Sequence, residues 1–541
     1  MTTLQAETVA ALIGNRADDD AIGLVHGDRE WTWREVCAEA AMRAAWLRES
    51  LGAAGPPHVG LLLPNVPEYV FQIFGAALAG TCVVGLNSTR RGEELARDIA
   101  HTQCQLVLSD DTFGHLVPGA LRVDDEPWSA HRDSALAVTD ELLVEPSPDT
   151  LLFLIFTSGS TSAPKAARCS QRRLAAVATQ MGFRGDDALY CPMPLAHGNA
   201  LSSTLFPALA SGARLVLRDR FSATAWLDDV RTYGVTFTNT VGRALGYILA
   251  TPPSAHDRDH RLKFVLAPEA SPRDMAEFGK RFGVRVFSGY GSSEGGIALM
   301  PARPGSLGTA PPGAQIAVVD EGGNDCETAL LDADGRLCNA GRAIGELVRK
   351  DTAGAFEGYW DNPEADADRL RGGWFWSGDL AYRDADGVFW FAGRVGDWLR
   401  VDSENFAAAP VERILSRFDD AAAVAVVGVP DPQGGDQVLA VLEPIAGRDF
   451  DPQRFSSFLA AQPDLGTKWA PRFVRVTESI PVVGHGKIDK KPLRRDAWLT
   501  TDPIWWRPPR TETYVPMTRV DRDALRAEFA AHGRPDAHPN L

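Results

Sequence analysis

The chain has 541 residues, 45% of them hydrophobic and 23% charged, a length that suggests roughly three or four structural units of about 150 residues each. Its net charge of −16 excludes the basic footprint of a nucleic-acid partner or an anionic membrane surface. The seven cysteines are scattered without CxxC or metal-like spacing, the start is polar and acidic, and the apolar stretch from Phe71 to Leu86 is broken by Gly75, Gly80, Thr81 and Gly85; together these predict a cytoplasmic protein with reduced thiols, no signal peptide and no integral membrane segment.

Apolar residues at helical spacing over 31–50 predict a helix stopped by Gly52. VGLLLP (59–64), TCVVGL (81–86) and CQLVLSD (104–110) read as strands, with helices over Glu68 to Leu78 and Ala96 to Thr102 between them. Such alternation means βαβ units and a mostly parallel sheet. LLFLIF (151–156) is a further buried strand, and Leu174, Val177, Ala178 and Met181 mark a helix face. RLVLRD (214–219), VTFTNT (235–240), KFVLAP (263–268) and VRVFSGYG (284–291) continue the strands. Region 301–360 is rich in Gly, Pro and Asp with short strands (315–320, 344–350), which predicts a smaller β subdomain. After the strand VFWFAG the pattern restarts: a helix at 410–417, a strand at 421–429, a helix near 453–461 and a strand at 473–478. A short helix from Asp521 to His532, with Leu525 and Phe529 on one face and Gly533 as its stop, ends the chain. No short-period repeat is present.

The fold class is therefore α/β. A large N-terminal domain (1–396) of two α/β subdomains plus a β subdomain precedes a small α+β C-terminal domain with a tail (397–541).

The chemistry is concentrated in a few loops. TSGSTSAPK (157–165) follows a buried strand with hydroxyls and a glycine, a loop able to turn N–H groups and hydroxyls toward one anion, with Lys165 as a point charge at its far lip. A Walker A loop, GxxxxGK followed by Ser or Thr, is absent, so a nucleotide polyphosphate would be held by another kind of loop. In YGSSEGG (290–296), Tyr290 can stack on a base, Ser292 and Ser293 can meet phosphate, and Glu294 offers a hard oxygen to Mg²⁺. The same residues match the GxSxG nucleophile elbow, but GIALMPARPGSLG follows where that motif needs a helix, and GYGSSEG fails GxGxxG. WFWSGD (374–379) ends in an acid suited to ribose hydroxyls, Gly393-Arg394 follows, and GHGKIDKK (484–491) sets Lys487 in a Gly-flanked loop.

In this order and spacing, FTSGSTSAPK, YGSSEG, WSGD, GRxxD and GK resemble the acyl-adenylate-forming superfamily of acyl- and aryl-CoA synthetases, peptide adenylation domains and luciferases, over roughly residues 20–500. GRVGDWLRVDSENFAAAPVE is similar to the fatty-acid-transport and very-long-chain branch. GRALGYILATPP (242–253) looks like actinobacterial ligases of fatty and steroid side-chain acids.

The resemblance implies an acid–thiol ligase using ATP, Mg²⁺ and coenzyme A: a carboxylate is converted to acyl-AMP, then to the thioester after the C-terminal domain rotates. Carried over by motif, Thr157, Ser158, Gly159, Ser160, Thr161 and Lys165 hold phosphates. Tyr290, Gly291, Ser292 and Ser293 belong to the nucleotide site, Glu294 with a loop hydroxyl positions Mg²⁺, and Thr161 counts with Lys165, Glu294 and Lys487 as catalytic. Asp379 and Arg394 hold the ribose, Asp397 is the hinge and Lys487 the catalytic lysine. Ala196, His197, Thr240, Val241, Gly246 and Ala270 line the acid pocket, and Ser403 and Glu404 the thiol tunnel.

Some positions depart from the family pattern. Ser162 replaces a glycine, at a cost of about 1–2 kcal/mol if that position needs positive φ. Ala196 replaces an aromatic, which leaves room for a bulky acid unless another ring fills it. Ser403 replaces a glycine of the tunnel. Either it obstructs the thiol, so that acyl-AMP passes to a separate partner enzyme, or the loop gives way and the full reaction survives. The acid expected is large and hydrophobic: long-chain fatty, steroid or polycyclic terpenoid. The rival readings are an adenylation-only enzyme and a non-catalytic adenylate-binding protein.

Overall fold

The computed structural model describes residues 7–131, 146–157, 165–268, 270, 272–333, 337–351, 356–401, 404–432, 435–466, 468–483, 487–509, 511, 513–532 and 534. The chain divides into two compact units, residues 1–305 with 352–375, and residues 306–351 with 376–541.

Among its described residues the first unit holds two sheets. In one the strand order is Leu121–Arg122, Leu106–Ser109, His58–Leu62, Cys82–Gly85, Leu151–Thr157, Lys165–Ser170. In the other it is Arg285–Phe287, Phe264–Leu266, Phe237–Asn239, Ala188–Cys191, Arg214–Leu217, Ile22–His26, Arg29–Thr32. All pairings are parallel except at the Lys165–Ser170 and Arg29–Thr32 edges, as the βαβ alternation predicts. The six-residue apolar run forms a strand because both its faces are covered, Leu152 to Ile155 being fully buried.

The first long helix runs Trp33–Ser50, two residues later than its apolar spacing suggests. Thr32 caps it through a reciprocal capping box with Glu35, so Trp31 and Thr32 stay in the preceding strand. It ends through extended Leu51 (φ −91°), and Gly52 is not the left-handed stop expected of it. The next helix, Pro67–Ala79, has proline in its first turn and does end on a left-handed glycine, Gly80 at φ 72°. The third helix begins at Gly92, earlier than its apolar residues predict. The strand expected over 284–291 is only Arg285–Phe287.

In the second unit, an antiparallel sheet joins Gly308–Thr309, Val388–Arg394, the strand Trp374–Arg383 from Trp376 onward, Gly345–Arg349 and Ile316–Val319. This is the expected β subdomain, but its sequence limits differ: 352–375 belongs to the first unit. A five-stranded sheet follows, Ala421–Pro430, Asp436–Pro444, Phe473–Val476, Ile504–Trp506 and Val515–Pro516. Its first strand is apolar throughout because it feeds two cores. Val424 and Val426 join Leu399, Val411 and Phe455, while Ala425, Val427 and Val429 join Leu493, Trp498 and Phe529. The last helix, Arg519–Ala531, is capped by Thr518 with Asp521 and buries Leu525 and Phe529; Gly533 lies outside the described residues. No described helix is long and apolar enough to cross a membrane. None of the seven cysteines is in a disulfide.

Candidate functional site

Parallel strands present their carboxyl ends to one edge of a sheet, where ligands of open α/β folds bind. The chain leaves Ala188–Cys191 toward Ala196 and His197, Phe237–Asn239 toward Thr240 and Val241, Phe264–Leu266 toward Ala270, and Arg285–Phe287 toward Tyr290 and Glu294. The predicted acid and nucleotide residues thus follow the carboxyl ends of neighbouring strands. They do not all share one core. Ala196 and Val241 pack with the cluster holding Ile155 and Leu195, and Ala270 packs in a second cluster with Met275 and Phe278. Gly246 lies in the helix Gly242–Leu249, and a Cβ placed there would meet nothing within 4 Å.

Thr157 ends the buried strand directly opposite Lys165, which starts the antiparallel edge strand. Ser158, Gly159, Ser160, Thr161 and Ser162 lie outside the described residues. Lys165 is 9% exposed, and no described residue supplies a carboxylate to pair with it. Its ammonium stands 5.8 Å from the Tyr359 ring centroid. A buried cation without a counter-ion is costly unless an anionic ligand neutralises it.

The 290–299 segment turns back on itself. Ser292 N donates to Ile297 O at 3.3 Å and Leu299 N to Tyr290 O at 2.9 Å, with an antiparallel bridge between Gly291 and Ala298. No helix follows, so the nucleophile-elbow alternative lacks its structural context. Gly295, at φ +78°, packs against the Arg173 guanidinium, whose Nη2 donates to Ser293 O at 2.6 Å; a side chain there would be strained and would displace that arginine. Ser292 Oγ is buried without a hydrogen-bond partner among the described residues.

Glu294, 9% exposed, is held by residues that the sequence did not single out. Tyr359 Oη donates to Glu294 Oε1 at 3.0 Å. Arg369 Nε donates to Tyr359 Oη at 3.2 Å, and Arg369 Nη2 stands 3.6 Å from the same Oε1. Tyr359 is 2% exposed; burial, and next the Glu294 charge, hold its phenol well above the usual range. The segment carrying it pairs with the Lys165 strand, Trp360 N donating to Ala166 O at 2.8 Å and Arg168 N to Gly358 O at 3.0 Å. Arg369 closes the helix Pro363–Arg369, which Asn362 caps. The proline and the cap were legible in DNPEAD; the chemical partnership of Tyr359 and Arg369 with Glu294 was not.

These groups fit a magnesium-bound polyphosphate. The described contacts of Glu294 fall on Oε1, which leaves Oε2 for a hard cation. No cluster of three or more His, Cys, Asp and Glu ligands occurs among the described residues. Among the described residues Lys165 meets no carboxylate and Ser292 Oγ no hydrogen-bond partner, and phosphate oxygens would supply both.

The other predicted residues lie in the second unit. Asp379 and Arg394 are paired across adjacent strands, Arg394 Nε lying 3.4 Å from Asp379 Oδ1. Gly378 N donates to Glu346 Oε1 at 2.8 Å, and Ser377 Oγ to Leu347 O at 2.7 Å, which fixes the strand carrying Asp379. Asp397 is ion-paired with Arg494 and, at 3.3 Å, with Lys490, which also meets Glu412 at 2.8 Å. Lys487 is described by its backbone, in the strand Lys487–Ile488 with Val483 opposite. Glu404 is likewise placed by its backbone in the strand Glu404–Ala407, and Ser403 lies outside the described residues.

A doubly sheeted α/β fold, with a buried lysine that no described carboxylate meets and a glutamate whose described contacts fall on one oxygen, suits a nucleotide-handling enzyme. The AMP-binding enzyme family matches residues 13–360, and the chain belongs to that family. It is 45% identical to the steroid-22-oyl-CoA synthetase of Rhodococcus jostii (strain RHA1), over 98% of this chain and 99% of that protein. It is 41% identical to the medium/long-chain-fatty-acid–CoA ligase FadD17 of Mycobacterium tuberculosis (strain ATCC 25618 / H37Rv), over 92% of this chain and 98% of that one. The ATP-bound crystal structure of MatB from Rhodopseudomonas palustris shares the fold, with a TM-score of 0.78 at 22% identity over 90% of this chain and 98% of that one.

Proposed function

We propose that the protein is an AMP-forming acyl-CoA synthetase for a bulky hydrophobic carboxylic acid, of the long-chain fatty, steroid or polycyclic terpenoid class. The observation that carries this reading is the buried Lys165, to which no described residue supplies a carboxylate, near Glu294, whose described contacts fall on Oε1 alone. The names of the two relatives favour an acid of fatty or steroid type, and the free thiols favour a reducing, cytoplasmic setting.

In the first step a carboxylate oxygen of the acid attacks the α-phosphorus of ATP, the α–β anhydride bond breaks and pyrophosphate leaves. Such a displacement asks chiefly for positioning and charge neutralisation. Lys165, Thr157, Ser292 and Ser293 hold phosphate oxygens, and Glu294 holds the magnesium ion, which supplies Lewis-acid neutralisation of the polyphosphate. Asp379 and Arg394 bind the ribose, and Tyr290 stacks on the base. Lys487 bridges the attacking carboxylate and the α-phosphate, offsetting repulsion between two anions. The domain from Asp397 onward then rotates, withdrawing Lys487. In the second step the sulfur of coenzyme A attacks the acyl carbon, the carbon–oxygen bond to phosphate breaks and AMP leaves.

Ser403 favours a second reading, in which the thiol step is slow and a partner enzyme takes the acyl-AMP. Acid-dependent release of pyrophosphate and of AMP, with and without coenzyme A, tests both across a panel of fatty, steroid and terpenoid acids. The main reading expects rapid pyrophosphate release with an acid of this class and AMP release that requires coenzyme A. Pyrophosphate release without coenzyme-A-dependent AMP release supports the second. No pyrophosphate release with any acid contradicts both.

A further inference from the structure

Lys165 and Glu294 are oppositely charged and both 9% exposed, and both engage one side chain, yet they are not ion-paired among the described contacts. In a low-dielectric interior such charges attract strongly, and Tyr359 touches both of them. Its ring lies 5.8 Å from the ammonium, in cation–π range, and its hydroxyl donates to Glu294 Oε1 at 3.0 Å. Behind it, Arg369 donates to the phenol oxygen at 3.2 Å and stands 3.6 Å from Oε1. A bidentate arginine would occupy both carboxylate oxygens; with the phenol interposed, Oε2 stays presentable. The backbone pairing of Gly358 and Trp360 with the Lys165 strand, and the hydrogen bond from Tyr359 N to Asp366 Oδ1 at 2.7 Å, fix the position of the ring.

We infer that Tyr359 is a positioning residue, a spacer that holds the phosphate-site lysine and the metal-site carboxylate apart so that a metal–polyphosphate can enter between them. The inference rests on the roles proposed above for Lys165 and Glu294. Without the hydroxyl, Glu294 pairs with Lys165 and each charge cancels the other's ligand; capture of Glu294 by Arg369 instead would leave metal-free ATP affinity unchanged.

The test uses the full-length enzyme and needs no acid substrate. Binding of ATP in EDTA is measured by calorimetry, and binding of Mn²⁺ in the presence of ATP by electron paramagnetic resonance, for the wild type, Tyr359→Phe, Glu294→Gln and the double variant, with melting temperatures recorded. Tyr359→Phe weakens Mn²⁺ binding about tenfold or more, the scale for outer partners of metal ligands, and weakens metal-free ATP binding roughly tenfold through loss of a charge-assisted contact. The discriminating result is rescue: adding Glu294→Gln to Tyr359→Phe restores metal-free ATP affinity, because the neutral amide no longer neutralises Lys165. A merely structural tyrosine gives no rescue. Tyr359→Phe with unchanged ATP and Mn²⁺ affinities, or a double variant as weak as the single, overturns the proposal. Unchanged Mn²⁺ binding in Glu294→Gln alone overturns the assignment of the metal carboxylate instead, and the rescue arm still decides the spacer. If Tyr359→Phe melts too low to assay, Arg369→Gln, which leaves the phenol in place but unsupported, gives the same ordering of affinities with a smaller loss; no loss there counts against the proposal.

Discussion

Replacing Lys165 by methionine separates the cost of the buried charge from its use. Lys165 is 9% exposed and the described stabilising contact of its ammonium is the Tyr359 ring at 5.8 Å, worth about 0.5–2 kcal/mol. Burying an ion costs several kcal/mol even after relaxation, so the unliganded fold carries a net penalty here. Methionine fills similar volume without charge, and the variant should be more stable to denaturant by about 1–3 kcal/mol, the scale on which apolar replacements relieve buried charges. The same change removes a charge-assisted contact to phosphate worth about 1.5–3 kcal/mol, a loss of roughly 10- to 150-fold in MgATP affinity. Equilibrium urea unfolding and isothermal titration with MgATP on the same preparations give both numbers. A variant that is less stable, with unchanged nucleotide affinity, would refute the reasoning, because Lys165 would then be a satisfied structural lysine.

Other outcomes follow from particular residues. Gly246 has open space where a Cβ would stand and lies inside a helix, so Gly246→Ala should raise stability by about 0.5–1 kcal/mol. Gly246→Trp should instead lower kcat/KM for long or polycyclic acids more than for short ones at unchanged melting temperature; equal losses would remove Gly246 from the acid pocket. Burial pushes the thiols of Cys104, Cys169 and Cys191 up to about 11 and Cys338 is exposed, so iodoacetamide at pH 8 should label Cys338 first, as peptide mass mapping reads. His58 is buried with Nδ1 2.6 Å from Thr102 O, and burial holds its imidazole below the usual range. The unfolded chain therefore binds a proton that the folded one refuses, and the stability this group contributes, present above about pH 6.5, is lost as pH falls through the lower folded value. His58→Gln should flatten the unfolding free energy between pH 7 and 5; an unchanged slope would contradict this.

The strands were legible where both faces are buried, as in Leu151–Thr157 and Ala421–Pro430, because a continuous apolar run has few other uses. Ends set by local hydrogen bonds were less so: the Thr32–Glu35 capping box draws the helix start later than its apolar spacing suggests. The helix Pro272–Phe282 carries Met275, Phe278 and Phe282 on one buried face and was within reach of the same periodicity. Lys165 and Glu294 stand out because hydroxyl-rich and Gly-rich loops follow apolar strands. Tyr359 could not be found that way. Its partnership with Glu294 spans 65 positions and depends on the bridge between Ala167 and Tyr359, a tertiary fact that the stretch EGYWDNPEAD does not encode locally.

The central claim is that a carboxylate is activated on ATP with Lys487 bridging the two anions. Acid-dependent ATP–pyrophosphate exchange, with the wild type and Lys487→Ala compared at saturating MgATP and a hydrophobic acid, tests it most directly. The account predicts exchange in the wild type and a loss of about a hundredfold or more in the variant, with nucleotide binding retained. Exchange at the wild-type rate in Lys487→Ala would contradict it.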